Sequence, residues 1–385
     1  MDGLLNFLAE QTDGHSYRTS KFELDAEISA AQIEYDAPAE IVMRHSGETH
    51  PPKNYAPLKE LADKISLNGT QILNYFLDGS RRVFKVDDIA YLNGSRKMIY
   101  PVVAGQVVAG CCRRVDRKLR EENFLSEVVL ALPDITNPRG FDGGFFSALV
   151  TKLNAHLVER NFPMKLAKIL PYNTNHKPEE KFEDRAVAKV MEQMHDAEKN
   201  LVAELVRRGK LDRKNYLVKD GSLEYRVLPG DKKKFNAKNY SFVIGVSKKF
   251  NPLLVKNSSD KVEPGIVADL PQFSRTPVTI VQREDFHGGN KFAVWYLRLR
   301  DRKYSDSPFD GVVKVEKILV TDDERRRDKI DSDEVNLLSA YLLNERNPVC
   351  YGTDSRWANH IYPIFLTESF VKSRFISAET FLHLF

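Results

Sequence analysis

Ile72-Leu73-Asn74-Tyr75-Phe76-Leu77-Asp78-Gly79-Ser80 is an apolar run that meets Asp-Gly-Ser, and Tyr216-Leu217-Val218-Lys219-Asp220-Gly221-Ser222-Leu223 repeats the pattern further along the chain. Short apolar runs bounded by turn residues read as strands, and Asp-Gly favours a tight turn. Each segment is therefore expected to be a strand ending in a turn, with a carboxylate at its tip. A single Asp-Gly carries little weight, because the chain also has it at Asp2, Asp13, Asp142 and Asp310. Only Asp78 and Asp220 follow a clear apolar strand and precede Gly-Ser. Taken singly, each reads most simply as a strand-ending turn. Taken together, two carboxylates at the ends of adjacent strands can converge on one cation, and the small Gly-Ser beside each lets a phosphate backbone approach.

Working outward, Val83–Val86, Ile89–Leu92, Met98–Val103 and Gln106–Cys111 read as further strands around the Asn93-Gly94 hairpin signal, so three or more antiparallel strands are expected. Phe124–Leu132 is another, closed by Pro133. Helical spacing marks a short helix through Leu58, Leu61 and Ile65, one over Phe145–Arg160, and a long one from about Pro178 to Arg208 with Gly209 as its stop. The apolar row of the long helix runs Val187, Val190, Met191, Met194, Leu201, Val202, Leu205, and Glu198 falls within it. Periodicity leaves two readings for Glu198: a carboxylate at the edge of the stripe, or one aimed inward at a cation. Tyr240–Val246 is a strong strand ending in Ser247-Lys248-Lys249. Residues 251–275 look like a loop-rich insertion, and strands return at Val278–Gln282, Phe292–Leu299 and Val312–Leu319. Helices at Ser332–Asn344 and Thr367–Ser373 close the chain. Residues 1–55 look like an arm or adaptor, ahead of a main domain at 56–385. The whole predicts a mixed α/β fold, and no repeat of domain-building length is visible.

Composition sets only broad bounds. The 385 residues are 42% hydrophobic and 29% charged, ordinary for a soluble globular chain. No apolar run approaches the roughly 18 residues of a membrane span, and the N-terminal MDGLLNFLAEQTDGH lacks a basic n-region and a cleavage site, so it reads as a small helix. Cys111, Cys112 and Cys350 have no metal-ligand spacing, which fits reduced thiols in a cytoplasmic protein. A net charge of +4 is compatible with a polyanionic partner without arguing for one. Two basic clusters, Arg113-Arg114-Arg117-Lys118-Arg120 and Lys232-Lys233-Lys234-Lys238, read as solvated loops first and nucleic-acid contacts second.

Phosphodiester hydrolysis by divalent ions needs an acidic cluster of this kind, and an all-oxygen site suits Mg²⁺ or Mn²⁺. The third carboxylate is expected from the helix upstream of Asp220, as Glu198 or Glu204; the inward phase of Glu198 favours it. Lys248, at the end of the strand after Asp220, is a charge partner for a scissile phosphate or else a plain surface lysine.

These residues, in this order, resemble the NurA nuclease family. Phe76-Leu77-Asp78-Gly79-Ser80-Arg81 resembles its first motif, and Leu217-Val218-Lys219-Asp220-Gly221-Ser222-Leu223 its second, after a glutamate-bearing helix. Val243-Ile244-Gly245-Val246-Ser247-Lys248 resembles the strand that ends in the family's lysine, and Ile361-Tyr362-Pro363-Ile364 its Tyr-Pro segment. Each motif is short; order and spacing carry the resemblance. It implies a ribonuclease H-like core with a central mixed sheet flanked by helices, and Mn²⁺- or Mg²⁺-dependent cleavage of DNA, as single-strand endonuclease and 5′-to-3′ exonuclease. It also implies a homodimer working with a HerA-type hexameric ATPase in DNA end processing or phage defence. Carried over, Asp78, Glu198 and Asp220 would ligate metal, Lys248 would neutralise the phosphate, and Tyr362 would position substrate or water. The chain departs from the pattern where many relatives carry a histidine after Tyr-Pro: it reads Leu366-Thr367-Glu368-Ser369-Phe370. His360 is one candidate to substitute, and Glu368 is a further acidic contributor.

A different class stays open: a non-catalytic DNA-binding or adaptor subunit of a translocase on the same fold. Another ribonuclease H-like enzyme, Argonaute-like or transposase-related, is a distant third. Trp295 and Tyr296 read as sheet core before a base-stacking platform, His287-Gly288-Gly289 as a hairpin turn, and Asp322–Arg327 as a solvated loop.

Overall fold

A computed structural model of the chain describes residues 3–24, 41–93, 95–137, 143–159, 164–175, 181–225, 235–259, 261–283, 290–302, 307–349 and 357–385. Lys232–Lys234, His287–Gly289 and Cys350 lie outside the described residues. The strands begin with β1 (His15–Ser16), β2 (Phe22–Glu23), β3 (Ile41–Arg44), β4 (Ala56–Pro57), β5 (Leu73–Asn93), β6 (Arg96–Val115) and β7 (Lys118–Pro133). They continue with β8 (Leu166–Tyr172), β9 (Tyr216–Asp220), β10 (Val243–Ser247), β11 (Ser274–Arg275), β12 (Thr279–Arg283), β13 (Lys291–Arg298) and β14 (Val312–Ile318). The helices are α1 (Leu4–Gln11), α2 (Lys59–Asn68), α3 (Gly143–Glu159), α4 (Phe182–Arg207) and α5 (Gly265–Ala268), followed by α6 (Asp322–Arg327), α7 (Ser332–Asn344), α8 (Tyr362–Lys372) and α9 (Ala378–Leu382).

All these strands join one mixed sheet, in the order β3-β12-β13-β14-β10-β9-β5-β6-β7-β8, with the short strands β1, β2, β4 and β11 alongside. Towards its β8 edge, β5, β6 and β7 form an antiparallel meander. β9 lies parallel to β5, and β10 parallel to β9. The α/β expectation holds.

The expected turn at Asp78-Gly79-Ser80 does not form. β5 is a single strand of 21 residues, and the ladder to β6 runs unbroken through Asp78↔Gly110, Gly79↔Ala109 and Ser80↔Val108. Pairing with β6 carries the strand straight through the motif, so the chain stays extended there. The runs read as separate strands are one long hairpin, whose irregularity is a register shift between Lys85 and Asp87. The second motif meets expectation: β9 stops at Asp220, and Gly221 turns the chain at φ +83°, open to glycine without strain.

Apolar residues on the two sheet faces make two large cores. One packs Tyr75, Leu77 and Leu217 against Val190, Ala197, Leu201 and Leu205 of α4. The other packs Phe76, Val218, Ile244 and Val246 with Leu338 and Leu342 of α7 and Ile364 of α8. Alternation along the strands therefore assigns odd and even positions to opposite helical layers. A third core lies under the far half of the hairpin, between α1, α3 and α9. The stretch expected as an N-terminal arm contributes to this body: Leu4, Leu5 and Leu8 are buried in the third core, β1 and β2 pair with β5, and β3 pairs with β12.

Three local readings are corrected. Residues 237–240 form a 3-10 turn, so the strand expected from Tyr240 begins at Val243. Asp322–Arg327 is a helix rather than a loop, because Thr321 and Glu324 form a reciprocal capping box. Arg113, Arg114, Lys118 and Arg120 belong to the strands β6 and β7, not to a loop. Trp295 is sheet core as expected, fully buried with its indole N–H donating to Ser339 Oγ at 2.9 Å.

Candidate active site

Leu77 on β5 faces Lys219 on β9 in parallel register. Asp78 and Asp220 are the next residues of the two strands, and neighbouring strands run roughly 4.8 Å apart. Asp78 shares its face with Phe76, and Asp220 shares its face with Val218, so both carboxylates emerge on the α8 side. β10 brings Lys248 to the same side: its Nζ donates to Asp220 Oδ2 at 2.9 Å and to Glu368 Oε2 of α8 at 3.0 Å. Two carboxylates thus bracket one ammonium group, with Asp78 on the strand beside Asp220.

The electrostatics are lopsided. Asp78 is 7% exposed; burial, and then repulsion from Asp220, push its carboxyl well above the ordinary range, with Lys248 only partly offsetting. Burial would also raise Glu368, yet Lys248, together with Lys372, holds it at about 2. Lys248 itself is raised: burial alone would lower it, but Asp220, Glu368 and Asp78 outweigh that. The pocket holds more negative charge than one lysine satisfies.

Glu198 points inward, as its helical phase predicts, and is 2% exposed. It approaches from the α4 face, opposite to Asp78 and Asp220. Its Oε2 is ion-paired with Lys219 Nζ at 3.2 Å. Burial raises its carboxyl, and Lys219 offsets this in part. Glu198 lies directly beneath the first motif: a Cβ added at Gly79 would come within 2.6 Å of its Oε1. This accounts for a glycine in mid-strand. Gly79→Ala is expected to destabilise the fold by about 1–3 kcal/mol through overpacking. A urea-unfolding double-mutant cycle checks it: combined with Glu198→Ala, most of that cost should vanish. Additive losses would show that the clash is elsewhere.

The other candidates have partners outside the cluster. Glu204 accepts from Asn123 Nδ2 at 2.8 Å, near the end of α4. His360 is buried with its ring against Phe365, and its carbonyl accepts from Arg300. Tyr362 is half-buried in the first turn of α8, its N–H donating to Glu345 O at 2.8 Å. Six residues of helix, about 9 Å of rise, separate it from Glu368. Among the two glutamates added to the motif set, sequence ranked Glu198 first; the signal for Glu368 was its position six residues after Tyr362, where the family pattern departs.

The donor chemistry suits a hard divalent cation: the set is all-carboxylate, with Asp78 buried and Asp220 and Glu368 half-buried around one lysine. As placed, no three His, Cys, Asp or Glu side chains among the described residues close a shell around one ion; the Lys248 ammonium lies between two of the carboxylates instead. A separate cavity of about 670 Å³, lined by Met43, Val281, Val294, Tyr296 and Lys314, opens on the α4 face away from these groups. The carboxylate–lysine cluster lies apart from that cavity, whose lining includes none of Asp78, Asp220, Lys248 or Glu368.

No family model and no curated protein matches the chain. Among solved structures, the NurA nuclease from Sulfolobus solfataricus is similar over 85% of this chain and 88% of that one, at 12% identity and a TM-score of 0.40. At that degree of likeness, function is read from the chain's own residues.

Proposed function

We propose that the protein is a metal-dependent deoxyribonuclease with a ribonuclease H-like core, resembling the NurA family in the order of its motifs. A meander of three antiparallel strands joined to two parallel ones, with carboxylates on the first and fourth, supports that core. The observation that carries the reading is the placement of Asp78, buried, and Asp220, half-buried, side by side on adjacent strands near Lys248. Asp78, Asp220 and a third carboxylate would hold a divalent ion, Mn²⁺ or Mg²⁺, which would supply the charge that activates water and stabilises the leaving oxygen. Lys248 keeps its proton at any physiological pH and pairs with the scissile phosphate. Tyr362 positions substrate or water. The partners in this reading are DNA, a second copy of the chain and a HerA-type hexameric ATPase. The activity is single-strand endonucleolytic and 5′-to-3′ exonucleolytic, in cytoplasmic DNA end processing or phage defence. No helix among the described residues is long and apolar enough to cross a membrane.

Two glutamates compete for the third place. Glu368 shares Lys248 with Asp220, whereas Glu198 lies across the sheet under Gly79. Glu368→Gln is expected to lower the rate at least about tenfold more than Glu198→Gln; the reverse order in a cleavage assay would return the third place to Glu198.

The test uses end-labelled single- and double-stranded DNA with Mn²⁺, Mg²⁺ or EDTA, repeated with a HerA-type ATPase and ATP, beside Asp78→Ala and Asp220→Ala. Metal-dependent cutting lost in both variants supports the nuclease. Cutting that survives both sinks the residue assignment. Silence under all conditions favours the second reading, a non-catalytic DNA-binding adaptor, for which the existing Lys248 bridge between Asp220 and Glu368 is the supporting observation.

A further inference from the structure

We propose that Glu316, on β14, is a positioning residue that fixes the turn after Asp220 and so aims that carboxylate; the proposal rests on the site reading given above. Glu316 is fully buried. Its Oε2 accepts from Ser222 Oγ at 2.8 Å and from the Leu223 backbone N–H at 2.7 Å. Its Oε1 is ion-paired to Lys314 Nζ at 2.5 Å. The second Asp-Gly-Ser-Leu motif is thus gripped by one carboxylate from a strand two places away in the sheet.

The turn is anchored on β10 as well. Gly221 donates its N–H to Val246 O at 2.8 Å and then leaves the sheet at positive φ. The segment passes over Gly245, where an added Cβ would meet Gly221 O at 2.9 Å and Leu223 Cγ at 2.8 Å. Gly245 faces Glu316 across the β10–β14 ladder. Glycine at 245 lets the turn descend to the depth at which Glu316 reaches it. A buried carboxylate is costly unless paired, and Lys314 keeps this one ionised: burial would raise it, but Lys314, Leu223 and Ser222 bring it below the ordinary value. An ionised acceptor with two donors fixes the turn more tightly than a neutral one would. The Asp220 carboxylate lies one residue before that grip and Lys248 holds it from the other side, so its direction is set at both ends. Supporting groups of this kind typically change metal affinity or rate by roughly 10–100-fold when removed.

The decisive variants keep the interior free of a lone charge. Glu316→Leu with Lys314→Met removes the grip and both charges together; Glu316→Gln with Lys314→Met keeps a neutral acceptor. Calorimetric titration with Mn²⁺, and hydrogen exchange at the Leu223 amide, read the site without turnover. The Leu variant is expected to lose Leu223 protection and to bind Mn²⁺ roughly 10–100-fold more weakly, with unchanged KM for DNA in any cleavage assay. The Gln variant should recover most of both. Unchanged protection in a folded Leu variant, or equal losses in both variants, would overturn the proposal. Should the Leu variant fail to fold, the Gln variant alone decides: protection and Mn²⁺ affinity near wild type support the grip, and losses as large as those expected of Leu overturn it. If the wild-type protein shows no Asp220-dependent Mn²⁺ binding, the site reading fails. Leu223 protection then still judges the grip: lost in Leu and kept in Gln supports it, and any other pattern overturns it.

Discussion

Asp220→Asn is expected to lower metal-dependent DNA cleavage by about 10³-fold or more while leaving the protein folded. In the proposed reading Asp220 ligates the metal; losing a charged ligand removes several kcal/mol of transition-state stabilisation, and about 1.4 kcal/mol is a factor of ten in rate. Asparagine keeps the shape and an acceptor oxygen for Lys248 Nζ, now 2.9 Å from Asp220 Oδ2. Asp78→Asn should cost a comparable factor in rate, but with the opposite sign in stability. Burial and Asp220 hold the Asp78 carboxyl above its ordinary range, so its ionised form opposes folding at neutral pH. The sign follows from linkage: a folded-state pKa above the unfolded one means the folded protein binds more protons between the two values. Stability of the metal-free wild type therefore rises as pH falls through the raised Asp78 value. Asp78→Asn should raise the metal-free Tm, by on the order of 1 kcal/mol of stability, and remove that segment of the pH profile. Thermal melts in EDTA across pH measure both. A variant that is inactive and also less stable would show that Asp78 serves the fold rather than a site.

Lys248→Met is the second large effect, and it separates the cation from the catalytic role. Lys248 is the ammonium between Asp220 and Glu368, at 2.9 and 3.0 Å. Removing one member of a buried pair leaves the others uncompensated, and the metal-free protein should lose about 3 kcal/mol. Part of that is the Glu368 contribution, which in the wild type is present above the unfolded glutamate pKa and lost as pH falls through about 2. Millimolar Mn²⁺ should restore much of the lost Tm, because an ion that binds the folded form stabilises it by mass action. Cleavage should stay low even when metal has restored stability, since the phosphate has lost its partner. A Tm that does not respond to Mn²⁺ in this variant would count against a metal site at these carboxylates.

Much of this site is legible in the residues. The two Asp-Gly-Ser motifs pick out Asp78 and Asp220 from six Asp-Gly pairs, and the long helix phases Glu198 to the interior, where it is found. Lys248 at its strand end reads by itself as a plain surface lysine, and only the family resemblance gives it a role. The sequence misjudged the first motif's conformation, because Asp-Gly signals a turn only where the backbone lacks a ladder, and β6 supplies one. It could not weigh Glu368 against Glu198, since that depends on which helix covers which face of the sheet. Glu316 left no signal at all: an isolated glutamate in Val312–Ile318 reads as a polar position on a strand.

Local chemistry thus determined the strands, the helices and the pair of aspartates, because period-two and helical spacing are written in adjacent residues. Tertiary structure decided the rest. Alternation along β5 and β9 sends Asp78 and Asp220 to one face and Lys219 to the other, but only packing puts α8 with Glu368 on the first and α4 with Glu198 on the second. Interactions such as those of Lys248 with Glu368, or Glu316 with Ser222, join residues about a hundred positions apart. No local propensity encodes such a contact; it exists only once hydrophobic burial has brought the strands and helices together.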